Sequence, residues 1–190
     1  MIREIIMRNR SYRRFDSNVE ITHQQLEKWI ELARFSASGR NMQPLKYVVS
    51  TDKQVNEKIY PNLAWAGYLT GWKGPAENER PSAYIAVLID KSLTDNYYCD
   101  DGIAIQSILL GAVEDGFGGC IVGSINKRKV SEILELPEHL EILWIIALGK
   151  PAEEVVLEDV KNNDIKYWRD SNDVHHVPKR PLNELIFKKM

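Results

Sequence analysis

Four arginines, Arg8, Arg10, Arg13 and Arg14, fall between positions 8 and 14, broken by Ser11 and Tyr12 and closed by Phe15. A guanidinium is a rigid, planar fork of N–H donors that matches phosphate oxygens, and the Ser11 hydroxyl adds one more donor. Gathered in one short loop, these groups suit a compact dianion; a solvated basic face is the plainer alternative. A second group, Ser38-Gly39-Arg40-Asn41-Met42-Gln43-Pro44, offers the paired donors and acceptor of Asn41 and Gln43. A planar heterocycle with N–H and C=O groups alternating along one edge needs such partners, whereas a plain connecting loop does not. The third group is Gly116-Phe117-Gly118-Gly119-Cys120-Ile121-Val122-Gly123-Ser124. Its glycines admit close approach of the backbone to a ligand, or turns with positive φ. It lacks the strand, spacing and following helix of a GxGxxG fingerprint, which argues against a Rossmann dinucleotide site.

Other candidates carry less. His175 and His176 are adjacent in an expected strand, so they point to opposite faces and cannot grip one ion together; no metal site is expected. Asp100 and Asp101 stand where a helix begins, and acids there complement the macrodipole. Cys120 has no neighbouring base and reads as a small core residue. Residues 61–81 carry Trp65, Tyr68 and Trp72 among Gly67, Gly71, Gly74 and Pro75, either as a lid over a site or as an excursion packed by its own rings.

The elements that must position these groups are legible from periodicity. Ile2, Ile5 and Ile6 recur at helical spacing, and Leu26, Trp29, Ile30 and Ala33 mark one face of a second helix with Thr22 as its N-cap, ending near Ser36. Leu45–Thr51, Ala83–Asp90 and Leu140–Leu148 read as strands, and Cys120–Val122 as a short one. Residues 52–59 and 127–136 are expected to be helical. The long helix after Asp100-Asp101 is apolar on more than one face, so it should be covered all round by core or by a second subunit. Beyond Pro151 the chain turns polar, with an expected hairpin around Asp170–Asp173 and a last helix begun by Pro181. Such a tail has no core of its own, and the expectation is that it wraps another surface, such as a second subunit.

Size and composition bound the reading. The chain has 190 residues, enough for one domain with a sizeable core, and 44% hydrophobic with 27% charged residues is ordinary for a soluble globular protein. A formal net charge of −2 gives no global basic field for nucleic acid or an anionic membrane. Two cysteines cannot make a disulfide scaffold, and with no leader pattern at Met1–Glu4 a reducing, cytoplasmic setting is expected. No apolar run approaches the ~20 residues of a membrane span.

In order and spacing, Arg10-Ser11-Tyr12-Arg13-Arg14-Phe15, Ser38 to Pro44, the helix after Asp100-Asp101-Gly102, Gly116 to Ser124 and Leu148-Gly149-Lys150-Pro151 together resemble the nitroreductase family of FMN-dependent oxidoreductases. The resemblance implies an α+β fold, with a central mixed, mostly antiparallel sheet flanked by helices. It implies one FMN-binding domain over residues 1–190, with residues 151–190 as an extended arm exchanged in a homodimer. It places Arg10 and Ser11 on the phosphate and lower ribityl chain, and Arg13 on the ribityl chain or the flavin N1/C2 carbonyl end. Ser38, Gly39, Arg40 and Asn41 would reach the flavin from the partner subunit. Val122, Gly123 and Ser124 would bring backbone N–H groups near N5, and Lys179 and Arg180 would close on the phosphate. Asn9 stands where many members have arginine, and Leu45 where many have tryptophan.

The chemistry so implied is transfer of hydride from NADH or NADPH to flavin N5, then reduction of a small electron-poor acceptor such as a nitroaromatic or quinone, in ping-pong order. Negative charge that develops at N1 and the C2 carbonyl would be stabilised by Arg13. The rival expectations are a specialised flavoenzyme of the same fold (a dehalogenase, a dehydrogenase or a flavin-degrading enzyme) and a non-catalytic flavin carrier or anion-binding module.

Overall fold

Strand β3 (Ala83–Asp90) is buried along its whole length, and its alternation explains the architecture. Ala83, Ile85 and Val87 point into one apolar cluster, while Tyr84, Ala86 and Leu88 point into another. A strand with no polar face requires cover on both sides. Helices α2 (His23–Arg34) and α4 (Asp100–Glu114) supply the first cover through Leu26, Trp29, Ile105, Ile108 and Ala112. Helices α3 (Lys53–Ile59) and α5 (Lys127–Ile133) supply the second, through Ile59 and Val130. The computed structural model describes residues 1–190.

The central sheet runs β1 (Phe15–Asp16), β5 (Leu140–Pro151), β3, β2 (Leu45–Ser50), and β4 (Gly118–Val122) pairs with β5 beside β1. Every one of these pairings is antiparallel. The α+β expectation is met, and the parallel component lies elsewhere. It is in a small second sheet ordered β6 (Val155–Asp159), β8 (His175–Lys179), β7 (Trp168–Arg169), where β6 and β8 run parallel. No helix is long and apolar enough to cross a membrane.

The ends of the helices follow their chemistry. The Thr22 hydroxyl accepts from the Gln25 backbone N–H at 3.2 Å while the Gln25 side chain accepts from Thr22 N at 2.9 Å, a reciprocal capping box that opens α2. The opening helix α1 (Ile2–Arg8) lies on α4 with none of its residues buried. On α4, Ala104, Ile105, Ile108, Leu109, Ala112 and Val113 are buried, but Ile103 remains 38% exposed. Within one chain the core covers the side of α4 that carries these buried residues, and Ile103 lies outside that cover.

Part of the tail finds its surface within the chain. Residues 155–179 do not leave the body; they form the second sheet and dock on their own chain. Arg169 reaches Glu153 at 2.7 Å and lies over the Trp72 ring at 4.6 Å, and the Tyr167 and Tyr68 rings meet at 5.0 Å. The aromatic loop supplies the surface that the tail lacked through Tyr68 and Trp72, while Trp65 packs into the core against Tyr60. The stretch that remains uncovered is the last one, with Leu182, Leu185 and Phe187 at 69%, 66% and 100% exposure. Its helix α6 is a single turn, Leu182–Leu185.

Candidate active site

The arginine loop lies against the glycine-rich strand. Ser11 bridges Gly119 in parallel fashion, and Tyr12 N donates to Gly119 O at 3.1 Å. Gly119 itself is required by its packing on the paired strand, since a Cβ there would stand 2.6 Å from Ala147 O. Two of the three sequence-derived segments therefore meet within one chain.

Arg10 and Arg13 take part in none of the chain's ion pairs. Arg10 donates to Ile6 O at 2.8 Å, and its Nε is buried with no partner. Partial burial pushes the Arg10 guanidinium below its ordinary value, against a smaller opposing effect of Tyr12. A half-buried cation with an orphaned donor and no carboxylate is costly unless an anion completes it. The residues here fit the phosphate of a mononucleotide such as FMN. Arg13 donates to Ser11 O at 3.2 Å, approaches His175 Nε2 at 3.4 Å and lies 4.8 Å from the Tyr167 ring centroid. Arg14, by contrast, is consumed: it holds Glu79 through two bonds of 2.9 Å and pairs with Asp173 at 3.3 Å.

Glu153 fixes this loop from below. Its Oε1 accepts from the backbone N–H of Arg13 and of Arg14, while Oε2 pairs with Arg169. His175 is 1% exposed, and burial first, then Arg13, Arg169 and His176, lowers its pKa to about 4. It therefore serves as a neutral ring beside two cations. His176 faces the other way, stacked on Trp168 at 4.1 Å, as adjacent strand positions require. Burial raises the Cys120 thiol, which removes it as a ready nucleophile.

The Ser38 segment sits at the opposite end of α4. Asp100, at the helix start and 3% exposed, accepts from Ser38 Oγ at 2.6 Å and from Gly39 N at 2.8 Å. Ser38 Oγ also accepts from Gln43 N at 2.9 Å, so this hydroxyl is occupied in shaping the loop. Within that loop Arg40, Asn41 and Gln43 hold φ of 55°, 56° and 50°. Three left-handed non-glycine residues in one turn represent stored strain of the kind concentrated at ligand-binding loops. Arg40 and Asn41 are exposed. Asp101 accepts from Trp144 Nε1 at 2.7 Å, and a Cβ on Gly123 would stand 2.5 Å from the same indole. Gly123 is thus required by Trp144, and Val122 is buried while Gly123 and Ser124 are exposed at the end of β4.

The ends of α4 lie far apart. Asp100 holds the Ser38 loop, whereas Val113 O accepts from Arg8 at 3.3 Å, about 20 Å further along the helix. Lys179 and Arg180 are exposed and share no hydrogen bond or ion pair with the Arg10 loop; Arg180 turns to Glu184 at 2.8 Å. That carboxylate, one helical turn away, captures the guanidinium locally. Sequence reasoning missed Glu153, Tyr167 and His175 as the supports of Arg13, because their proximity comes only from the docked tail. It noticed Asp100 but assigned it to the helix macrodipole rather than to Ser38 and Gly39.

A cleft of about 630 Å³ lies elsewhere, lined by residues such as Tyr60, Arg80 and Ser82.

The family described as "Nitroreductase family" matches residues 6–74 and 90–150. An oxygen-insensitive NADPH nitroreductase of Helicobacter pylori is 28% identical, over 80% of this chain and 88% of the relative. A nitroreductase family protein from Clostridium novyi NT superposes with a TM-score of 0.66 at 25% identity, over 80% of this chain and 86% of that one. The NADPH:FMN oxidoreductase of Vibrio harveyi, solved with NAD+, gives 0.70 at 24% identity, over 100% of this chain and 77% of its own, a likeness of fold. With these matches spanning the arginine loop, the Ser38 segment and the glycine strand, the chain belongs to the nitroreductase family.

Proposed function

We propose that this chain is an NAD(P)H-dependent oxidoreductase that holds FMN between two copies of itself and reduces small electron-poor acceptors. The observation that carries this reading is Arg10, half-buried, free of any carboxylate and with an orphaned Nε, beside Ser11 and the glycine strand. Arg10 and Ser11 hold the phosphate by charge-assisted hydrogen bonds. Arg13 presents its positive charge toward the pyrimidine end of the flavin, kept in place by Ser11 O, the His175 ring and Tyr167. The neutral state of His175 matters, since an imidazolium would repel the Arg13 guanidinium that it helps to position. Gly123 and Ser124 offer backbone N–H groups at the open end of β4. The Ser38–Asn41 turn, fixed by Asp100, reaches the ring from the partner subunit, and Lys179 and Arg180 close over the phosphate as the last segment orders. When bound, the flavin supplies hydride transfer at N5 from the nicotinamide to the acceptor.

What one chain leaves uncovered supports the dimer. Ile2 and Ile6 on α1, Phe35 after α2 and Ile103 on α4 are exposed apolar residues on neighbouring elements. The exposed stretch 181–190 is the segment available for exchange.

The experiment is direct. Purified protein should be yellow and dimeric, and its colour should bleach under anaerobic conditions on addition of NADH or NADPH and return with a quinone. Colourless, monomeric protein that takes up no added FMN refutes the proposal.

A further inference from the structure

The 630 Å³ cleft lies between the β1–α2 turn, the start of α3 and the 77–82 segment, and shares no residue with the arginine loop, the Ser38 turn or the glycine strand. Its volume is that of a small-molecule site, yet its lining is chiefly polar. The polar groups are sorted by depth. Tyr84 and Asn56 are buried on the floor, and Arg80 and Ser82 are half-buried beside them. Glu20, Glu57 and Glu77 are exposed at the rim, with Lys53 the single rim cation.

The floor has unmet hydrogen-bonding capacity. Arg80 Nε and Ser82 Oγ are both buried without a partner. Arg80 takes part in no ion pair, because its sequence neighbour Glu79 is committed to Arg14. Its guanidinium carbon lies over the Tyr60 ring, 4.1 Å from the centroid, with the Tyr60 hydroxyl anchored on Pro75 O at 2.7 Å. Asn56 accepts from Ser50 Oγ at 2.7 Å and donates to Ser82 O at 3.0 Å, which ties the floor to the backbone that carries Ser82. A stacked, preorganised guanidinium next to a free hydroxyl is a receptor for a carboxylate. A rim richer in carboxylates than in cations disfavours a dianion there and favours a positive group above the bound anion.

We propose that this cleft is a second ligand site, which takes a small zwitterion of the α-amino-acid type. The ligand carboxylate lies on Arg80 and Ser82, and its ammonium group faces Glu20, Glu57 and Glu77. Binding there involves no bond making and leaves the flavin site as it is.

The test is isothermal titration of the flavin-loaded protein with free L-amino acids, their des-amino acids, their carboxamides and inorganic phosphate. At least one amino acid should saturate a single site per chain, with its des-amino acid and carboxamide each about tenfold weaker or worse. Arg80→Gln and Ser82→Ala should each weaken that binding by about tenfold, with flavin content unchanged. Glu57→Gln should narrow the gap between the amino acid and its des-amino analogue. Should Arg80→Gln fail to fold, Ser82→Ala and Glu57→Gln still decide the matter. Absence of saturable binding by every amino acid, tighter binding of phosphate, or affinity indifferent to these variants overturns the proposal. Because flavin content is read in the same samples, failure here is distinct from failure of the flavoprotein reading.

Discussion

Arg10 and His175 show how far single residues account for the site. Arg10 pays a desolvation cost that nothing in its own chain offsets, so its replacement should cost ligand rather than fold. Arg10→Ala is expected to weaken FMN binding about 10- to 100-fold, the worth of a charge-assisted hydrogen bond, while the protein stays folded and dimeric. Flavin fluorescence quenching titrations measure this, and undiminished affinity would remove Arg10 from the phosphate. His175 makes a different prediction. Its folded pKa of about 4 lies below the ordinary value of 6.5 because burial and two arginines oppose its charge. Above pH 6.5 both folded and unfolded chains hold it neutral, and no penalty exists. As pH falls from 6.5 toward 4 the unfolded chain binds the extra proton, so folded stability declines by an amount on the order of 2 kcal/mol. Asp115, held low by Lys28 and Trp29, gives way only below its unfolded value near 4, so the upper half of this interval belongs to His175. Urea midpoints at pH 7 and pH 5 should converge in His175→Gln; an unchanged difference would assign the acid sensitivity to another group. The arginines were legible in the sequence because a charge cluster needs no partner to be noticed. His175 was not, because its burial depends on a sheet that returns from the far end of the chain.

At the level of elements, the strands and helices of the core were legible wherever periodicity decided them. β3 reads as an uninterrupted apolar run because both faces are covered, and α2 reads as amphipathic with Thr22 before it. What spacing did not reveal was how one element anchors another. The Asp100 carboxylate, a residue of α4, organises a turn that lies 61 and 62 positions earlier in the chain through Gly39 and Ser38. That turn carries positive φ at Arg40, Asn41 and Gln43, so it persists only while it is held. Asp100→Ala should therefore lower stability by about 2 kcal/mol, leaving two donors unmet, and should speed amide exchange at Gly39 and Gln43 more than in the sheet. Exchange rates at those amides equal to the wild type would mean that Asp100 is not what holds the turn. The glycines of the third segment were legible as special, and two of them have a packing reason that the sequence did not show. Gly119 and Gly123 are small because Ala147 O and the Trp144 ring occupy the space of a side chain, and only contacts across the sheet reveal that.

For the whole molecule, the decisive question is what covers the apolar surface that one chain leaves open. The sequence indicated a tail without a core, and the structure divides that tail in two. Residues 155–179 found their partner in the aromatic loop, through Tyr167 on Tyr68 and Arg169 on Trp72. Residues 181–190 found none, and Phe187 is fully exposed. Rings and aliphatic side chains left in water at this density mark a contact surface. In the proposed dimer this stretch crosses to the second chain, so its removal should act on assembly and spare the body. Deleting residues 181–190 is expected to raise the dimer dissociation constant about 30-fold or more, the effect of losing a contact worth about 2 kcal/mol, with little change in circular dichroism. Phe187→Asp should reproduce much of that effect without shortening the chain. Sedimentation over a dilution series reads both. If the truncated protein dimerises as tightly as the full chain, the association rests instead on the face formed by Ile2, Ile6 and Ile103, and Ile103→Asp should then be the change that separates the subunits and releases the flavin together.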